Sequence, residues 1–125
     1  MPPAEMLTAI LPCNDLDAAE RFFARLGFAR GHAPMDREDS YRMLQRPGGG
    51  DVHLMQAVEG WLVPGRNPFA LYLYCENVDA LAAEFADEII ERDAPHDKPW
   101  GMYEFAVNGP DDTLVRVGWP TRLRG

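Results

Sequence analysis

"LPCNDLDAAERFF" (residues 11–23) and "LYCENVDALAAEF" (residues 73–85) say nearly the same thing twice. Laid over one another they agree at Leu11/Leu73, Cys13/Cys75, Asp17/Asp79, Ala18/Ala80 and Phe23/Phe85, with Leu16/Val78 a conservative pair. The offset is 62 residues (73 − 11), about half of a 125-residue chain. Self-similarity on that scale means that each half is one supersecondary unit.

In each copy an apolar strand-like stretch, "LTAILPC" or "FALYLYC", runs into Asn/Asp residues and then into a helical pattern. Asn14 or Asp15 is placed to accept hydrogen bonds from the first free N–H groups of a helix, and Leu16, Ala19, Phe23 and Leu26 fall on one face of it. Gly27 stops that helix. Asn77 is the corresponding cap of the second copy, with Val78, Leu81, Phe85 and Ile89 as its apolar stripe.

The later segments follow the same plan. "SYRMLQRPGGGDVHLMQAV" and "WGMYEFAVNGPDDTLVRVGW" each alternate like two strands around a turn, "RPGGGD" in the first half and "NGPDD" in the second. "PGGGD" is a hairpin turn and not a phosphate cradle, because it lacks the Lys-Ser/Thr of a P-loop and opens a strand. The fold class expected is therefore α+β: two tandem βαβββ modules forming a curved mixed sheet around a shared cleft. Module one spans about 5–60 and module two about 67–120, within a single domain.

Lys+Arg number 12 against Asp+Glu 20, giving a formal net charge of -8. So acidic a chain is a poor match to nucleic acid, whose phosphates are held by Lys and Arg. A cationic small molecule suits it better. No apolar run reaches the roughly 20 residues of a membrane span, and the first residues have no secretory signal pattern, so a cytoplasmic protein is expected. Cys13 and Cys75 occupy equivalent places and are expected to fill matching apolar niches rather than to form a disulfide or bind metal.

Doubled strand–helix–strand units with "DLDAAERFFARLGF" in the first and "GPDDTLVRV" closing the second resemble the vicinal oxygen chelate superfamily, which includes glyoxalase I, extradiol dioxygenases, fosfomycin-inactivating enzymes and bleomycin resistance proteins. "KPWGMYEFAVNGPDD" and "YRMLQRPGGGDVHLM" are most similar to the bleomycin-resistance branch. Asp112 stands where that superfamily's turn usually has glycine. The resemblance implies a metal in catalytic members, held from the first and last strands of each half. Those places match Thr8, Met55, Ala70 and Arg116 here, of which none is a hard-metal ligand beyond the weak hydroxyl of Thr8. An arginine would repel a cation. No metal or other cofactor is therefore expected. His53 lies beside Met55 as a wall residue, and His32 and His96 sit in loops without a partner at ligand spacing. Ser40 has no nucleophile motif around it, so no catalytic residue is assigned.

Strand alternation assigns the ligand-binding residues. Tyr72 and Tyr74 share the inward face with Ala70, and Arg116 shares it with Leu114. Glu104 faces inward because Phe105 and Val107 are core. Tyr41, Met43, His53 and Met55 line the first half, and Trp61 and Trp100 sit in Pro/Gly-containing loops where large rings cover something. Such a set suits a flat aromatic guest with a cationic end held by Glu104. With the resemblance, it implies a metal-free protein that sequesters bleomycin-type antibiotics in the cleft of a homodimer. The alternatives are a superfamily enzyme acting on a small metabolite and a sensor or partner-binding module.

Overall fold

The computed structural model describes residues 5–31, 40–63 and 65–125. His32 lies outside the described residues. The chain divides into two compact units, Met1–Leu62 and Val63–Gly125, called module one and module two below.

Module one runs β1 (Ala9–Cys13), α1 (Leu16–Arg25), β2 (Ala29–Arg30), β3 (Tyr41–Gln45) and β4 (Asp51–Gln56). Its sheet has the order β1-β4-β3-β2, with β1 parallel to β4 and the other pairs antiparallel. Asp15 caps α1: its backbone is extended, and its side chain accepts a hydrogen bond from the Ala18 N–H at 3.0 Å. Leu16, Ala19, Phe23 and Leu26 are all buried, as the spacing requires. Leu11, Cys13, Leu44, Val52 and Leu54 are the buried half of the strands and α1 packs on that sheet, so one face is closed and the other is left to the polar half of each strand. Arg46 to Gly50 form the hairpin turn. Gly48, Gly49 and Gly50 all have positive φ, a conformation that side-chain-bearing residues rarely adopt.

One charged residue departs from this pattern. Arg42 lies among the buried positions of β3, only 5% exposed, and its Nη1 meets Asp17 and Glu20 of α1, each at 2.9 Å. The two carboxylates make that burial tolerable.

Module two repeats the plan with β5 (Ala70–Tyr74), α2 (Val78–Phe85), β6 (His96–Asp97), β7 (Met102–Asn108) and β8 (Leu114–Pro120). Its sheet order is β5-β8-β7-β6, with β5 parallel to β8. Each module is thus βαβββ with a four-stranded mixed sheet of its own. Asn77 stands at the start of α2, but its side chain makes no capping bond. The buried stripe is Val78, Ala82 and Phe85, while Leu81 and Ile89 are only half-buried. A short 3-10 turn at Ala86–Glu88 ends the helix and changes the phase before Ile89, which instead bridges Val107 at the sheet. Between β7 and β8, Asp111 and Asp112 adopt positive φ (55° and 63°). Asn67 secures that turn by donating from Nδ2 to the Asp111 carbonyl at 2.9 Å and to Thr113 Oγ1 at 3.0 Å. The turn survives the absence of glycine because Asp tolerates left-handed backbone better than most residues.

The sheet register corrects one expected equivalence. Ile10 pairs with His53, and Tyr72 pairs with Arg116. Since Ile10 and Tyr72 are 62 apart, the counterpart of Arg116 is His53, 63 residues earlier (116 − 53), and not Met55. Met55 corresponds to Gly118. Side-chain alternation is blind to this slip because two residues along a strand return to the same face. Only the hydrogen-bond ladder distinguishes them. By the same register Tyr41 is the counterpart of Glu104, so each module carries a polar pair at one place on β3–β4 or β7–β8.

Candidate functional site

On module two, the face opposite α2 is organised around one buried carboxylate. Glu104 alternates with Phe105 and Val107 on β7, which turn into the core, so its own side chain emerges on the other face. It is nevertheless only 1% exposed. Three side chains close over it. Tyr72 Oη and Trp100 Nε1 each donate to Oε1 at 3.0 Å, and Arg116 Nη1 donates to Oε2 at 2.9 Å. The donors come from β5, from the turn before β7 and from β8, so the carboxylate ties three parts of the module together. Burial of a charge is tolerated here because it is paired and hydrogen-bonded.

This geometry corrects the role expected of Glu104. It was to be an open anionic anchor for a cationic guest, but its charge is already opposed by Arg116 and its oxygens are occupied. The exposed member of the ion pair is the cation: the Arg116 side chain is 40% exposed. Inward orientation followed from alternation; the closure comes from the Trp100 turn, which alternation does not describe.

Gly118 makes the arrangement possible. It lies on β8 opposite Glu104, and a Cβ there would stand 2.1 Å from Tyr72 Oη and 2.8 Å from Glu104 Cβ. The hydroxyl reaches the carboxylate through the space that glycine leaves. Tyr74 packs beside Tyr72 with ring centroids 4.9 Å apart and is itself 61% exposed. Trp100 is equally exposed, although its indole N–H is held. Lys98 Nζ lies 5.9 Å from the Trp100 ring and is paired with Glu91. A ring anchored by its edge and more than half exposed is a stacking platform whose orientation is fixed before any guest arrives.

Burial, followed by the hydrogen bond to Glu104 and that residue's negative charge, pushes the Tyr72 phenol well above its ordinary 10.0. The folded value is raised above the unfolded one, so the stabilisation is complete below about pH 10 and is lost as pH climbs toward the folded value. Stability measured by denaturant titration should therefore decline above about pH 10, less steeply in Tyr72→Phe. Equal slopes in the two proteins would contradict the assignment.

Module one presents a different face. Tyr41 Oη and His53 Nδ1 lie 2.7 Å apart with their rings edge-on. Met43 is directly opposite His53, Met55 opposite Tyr41, and all four are half-buried. Trp61 stands in a turn after β4 and is 56% exposed. His96 is on β6 with Nε2 3.5 Å from Glu91 Oε2. Cys13 and Cys75 are buried thiols. Sequence reasoning passed over Gly118 and Lys98. A glycine inside the alternating "LVRVGW" was the signal for the first, since it marks close approach in a strand.

The divalent metal of the superfamily's catalytic members finds no matching donor set. With the register corrected, the equivalent places hold Thr8, His53, Ala70 and Arg116, and Arg116 is engaged with Glu104. Among the described residues no group of three or more His, Cys, Asp or Glu is arranged to hold a metal ion. Nor is any described helix long and apolar enough to cross a membrane.

No protein-family model matches the sequence. No curated protein matches it either. Solved structures do share the fold. A bleomycin resistance determinant encoded on the transposon Tn5 is 25% identical with a TM-score of 0.73, over 94% of this chain and 98% of that one. A bleomycin-binding protein complexed with bleomycin is 24% identical with a TM-score of 0.71, over 93% and 98%. Lactoylglutathione lyase from Agrobacterium tumefaciens is 23% identical with a TM-score of 0.68, over 98% of both chains. The fold is thus the one shared by bleomycin resistance proteins and glyoxalase-type enzymes, two βαβββ modules in one chain.

Proposed function

We propose that this protein binds small molecules without chemical change, and that the open face of module two stacks flat heteroaromatic guests of the bleomycin class. One observation carries the reading: Trp100 is held by Glu104 at its N–H edge while its ring remains 61% exposed. The likeness to a bleomycin-binding protein supports the choice of guest. Tyr72, Tyr74 and Arg116 share the platform; module one, taken by itself, carries a second ligand-facing group, Tyr41, Met43, His53 and Met55, that is adaptable and partly apolar. Trp61 is retained as a ligand-facing ring. The expected cationic end of the guest has no open carboxylate at Glu104, so binding rests on stacking, and the net charge of -8 contributes only long-range steering of cations.

The working form proposed is a cytoplasmic homodimer. Leu7 and Ile10, at and before the edge strand β1, are 99% and 55% exposed, and a second copy would remove such apolar surface from water. The alternative, a glyoxalase-type enzyme acting on a small metabolite, is favoured by the phenol–imidazole contact between Tyr41 and His53.

Calorimetric titration with metal-free bleomycin at low salt tests the binding reading. A saturable heat is expected, and Trp100→Ala should weaken it by on the order of 1–3 kcal/mol, mainly by faster dissociation. If wild-type protein gives no saturable heat, sequestration is wrong and the enzyme reading moves ahead.

A further inference from the structure

The positive charge on module two's open face belongs to Arg116, the exposed member of the pair with Glu104. We propose that Arg116 is an anion anchor and that this face selects planar aromatic guests carrying an oxyanion, of which an aromatic carboxylate is the simplest. This rests on the reading of that face as the ligand site, and it names what the guest must carry.

The argument begins with the unequal burial of the ion pair. Glu104 is 1% exposed and the Arg116 side chain 40%, so a guest lying on the sheet meets the guanidinium and not the carboxylate. A guanidinium has five N–H donors in a planar fork, and the contact with Glu104 Oε2 uses Nη1 alone. The carboxylate's other oxygen is taken by Tyr72 and Trp100. Glu104 therefore fixes the guanidinium from below without enclosing it.

Position supplies the second half. Arg116 pairs with Tyr72 across β5–β8, and Tyr72 packs against Tyr74. A planar guest stacked on these rings would set its polar edge beside the fork. Glu91 is a second carboxylate whose charge is felt by Arg116, and it is paired with Lys98, which offsets that charge beside the platform. Arginine stays protonated at any working pH, so the anchor needs neither a bound ion nor a deprotonated ligand set. The net charge of -8 opposes the distant approach of an anion, which makes recognition by Arg116 a short-range event.

Three naphthalene probes of one size test this in the presence of a chelator: 2-naphthoate, 2-naphthamide and 2-naphthylmethylammonium. Tryptophan fluorescence titration should give 2-naphthoate about tenfold tighter binding than 2-naphthamide, with the ammonium weakest. Arg116→Gln alone leaves Glu104 buried and unopposed, so the informative variant is Arg116→Gln combined with Glu104→Gln, which keeps hydrogen bonding without charge. In it the preference for 2-naphthoate should fall to about twofold or less. Equal or tighter binding of the amide by wild-type protein overturns the proposal, as does a preference that survives the double substitution, depends on omitting the chelator, or cannot be observed because no probe binds. Bleomycin separates the two readings. If the drug binds and the carboxylate preference is absent, Arg116 selectivity fails alone; if the preference is present and the drug does not bind, the drug assignment fails alone.

Discussion

Glu104→Ala should lower the stability of the protein by about 3 kcal/mol and release the Trp100 ring from its fixed orientation. The carboxylate accepts from Tyr72, Trp100 and Arg116 at 2.9–3.0 Å, and its removal strands all three donors at once. A hydrogen bond to a charged group contributes about 1.5–3 kcal/mol, but the three share one acceptor and do not add. Arg116 is 40% exposed and recovers hydration when its partner is gone, which keeps the loss below the upper range for a fully buried pair. Glu104→Gln should fall between wild type and Ala: its carbonyl can still accept from Tyr72 and Trp100, while its amide meets the guanidinium donor to donor. Chemical denaturation gives the energies, and the indole N–H resonance of Trp100 gives the orientation. A loss under about 1 kcal/mol with an unchanged indole N–H would show that Glu104 does not organise the platform.

The same carboxylate shows where sequence reasoning reached and where it ended. Alternation along "MYEFAV" correctly set Glu104 against Phe105 and Val107, because side chains in a strand must take opposite faces. It says nothing about what lies over a face, and the cover here is a turn residue, Trp100, acting through its edge. The helix stripe of α1 was legible for a local reason: Leu16, Ala19, Phe23 and Leu26 recur at the helical period, and all are buried. In α2 the apolar residues are dense, and the period selects Leu81 for the buried stripe, but Leu81 is only half-buried and Ala82 takes the buried place. Arg42 stood unnoticed in "YRMLQ" because its partners, Asp17 and Glu20, are more than twenty residues away along the chain. Alternation matches Met55 to Arg116 where the ladder gives His53, since both choices preserve the face. Non-local pairing is the common factor in these misses. Local periodicity reports which side a residue takes, and the hydrogen-bond ladder reports whom it meets.

Gly118→Ala should be as damaging as the loss of Glu104, at about 3 kcal/mol, although it adds only one methyl group. Gly118 does not have the positive φ that would make alanine intrinsically strained, so the cost is one of space and not of backbone conformation. The new Cβ would stand 2.1 Å from Tyr72 Oη, 2.8 Å from Glu104 Cβ and 3.1 Å from the Tyr103 carbonyl oxygen. The last two belong to β7, which is paired with β8 along its whole length and resists displacement. The tyrosine is the group that can yield. Moving it breaks the hydrogen bond to Glu104 and disturbs its packing on Tyr74. Overpacking of this kind costs about 1–3 kcal/mol, and loss of a charge-assisted hydrogen bond adds to it. A double-mutant cycle with Tyr72→Phe identifies the source, because removing the hydroxyl removes the nearest clash and the broken bond together. Gly118→Ala should therefore cost less in the Tyr72→Phe background than in wild type, while keeping a remainder from Glu104 Cβ. An identical penalty in both backgrounds would mean that Tyr72 does not depend on this glycine to reach the carboxylate.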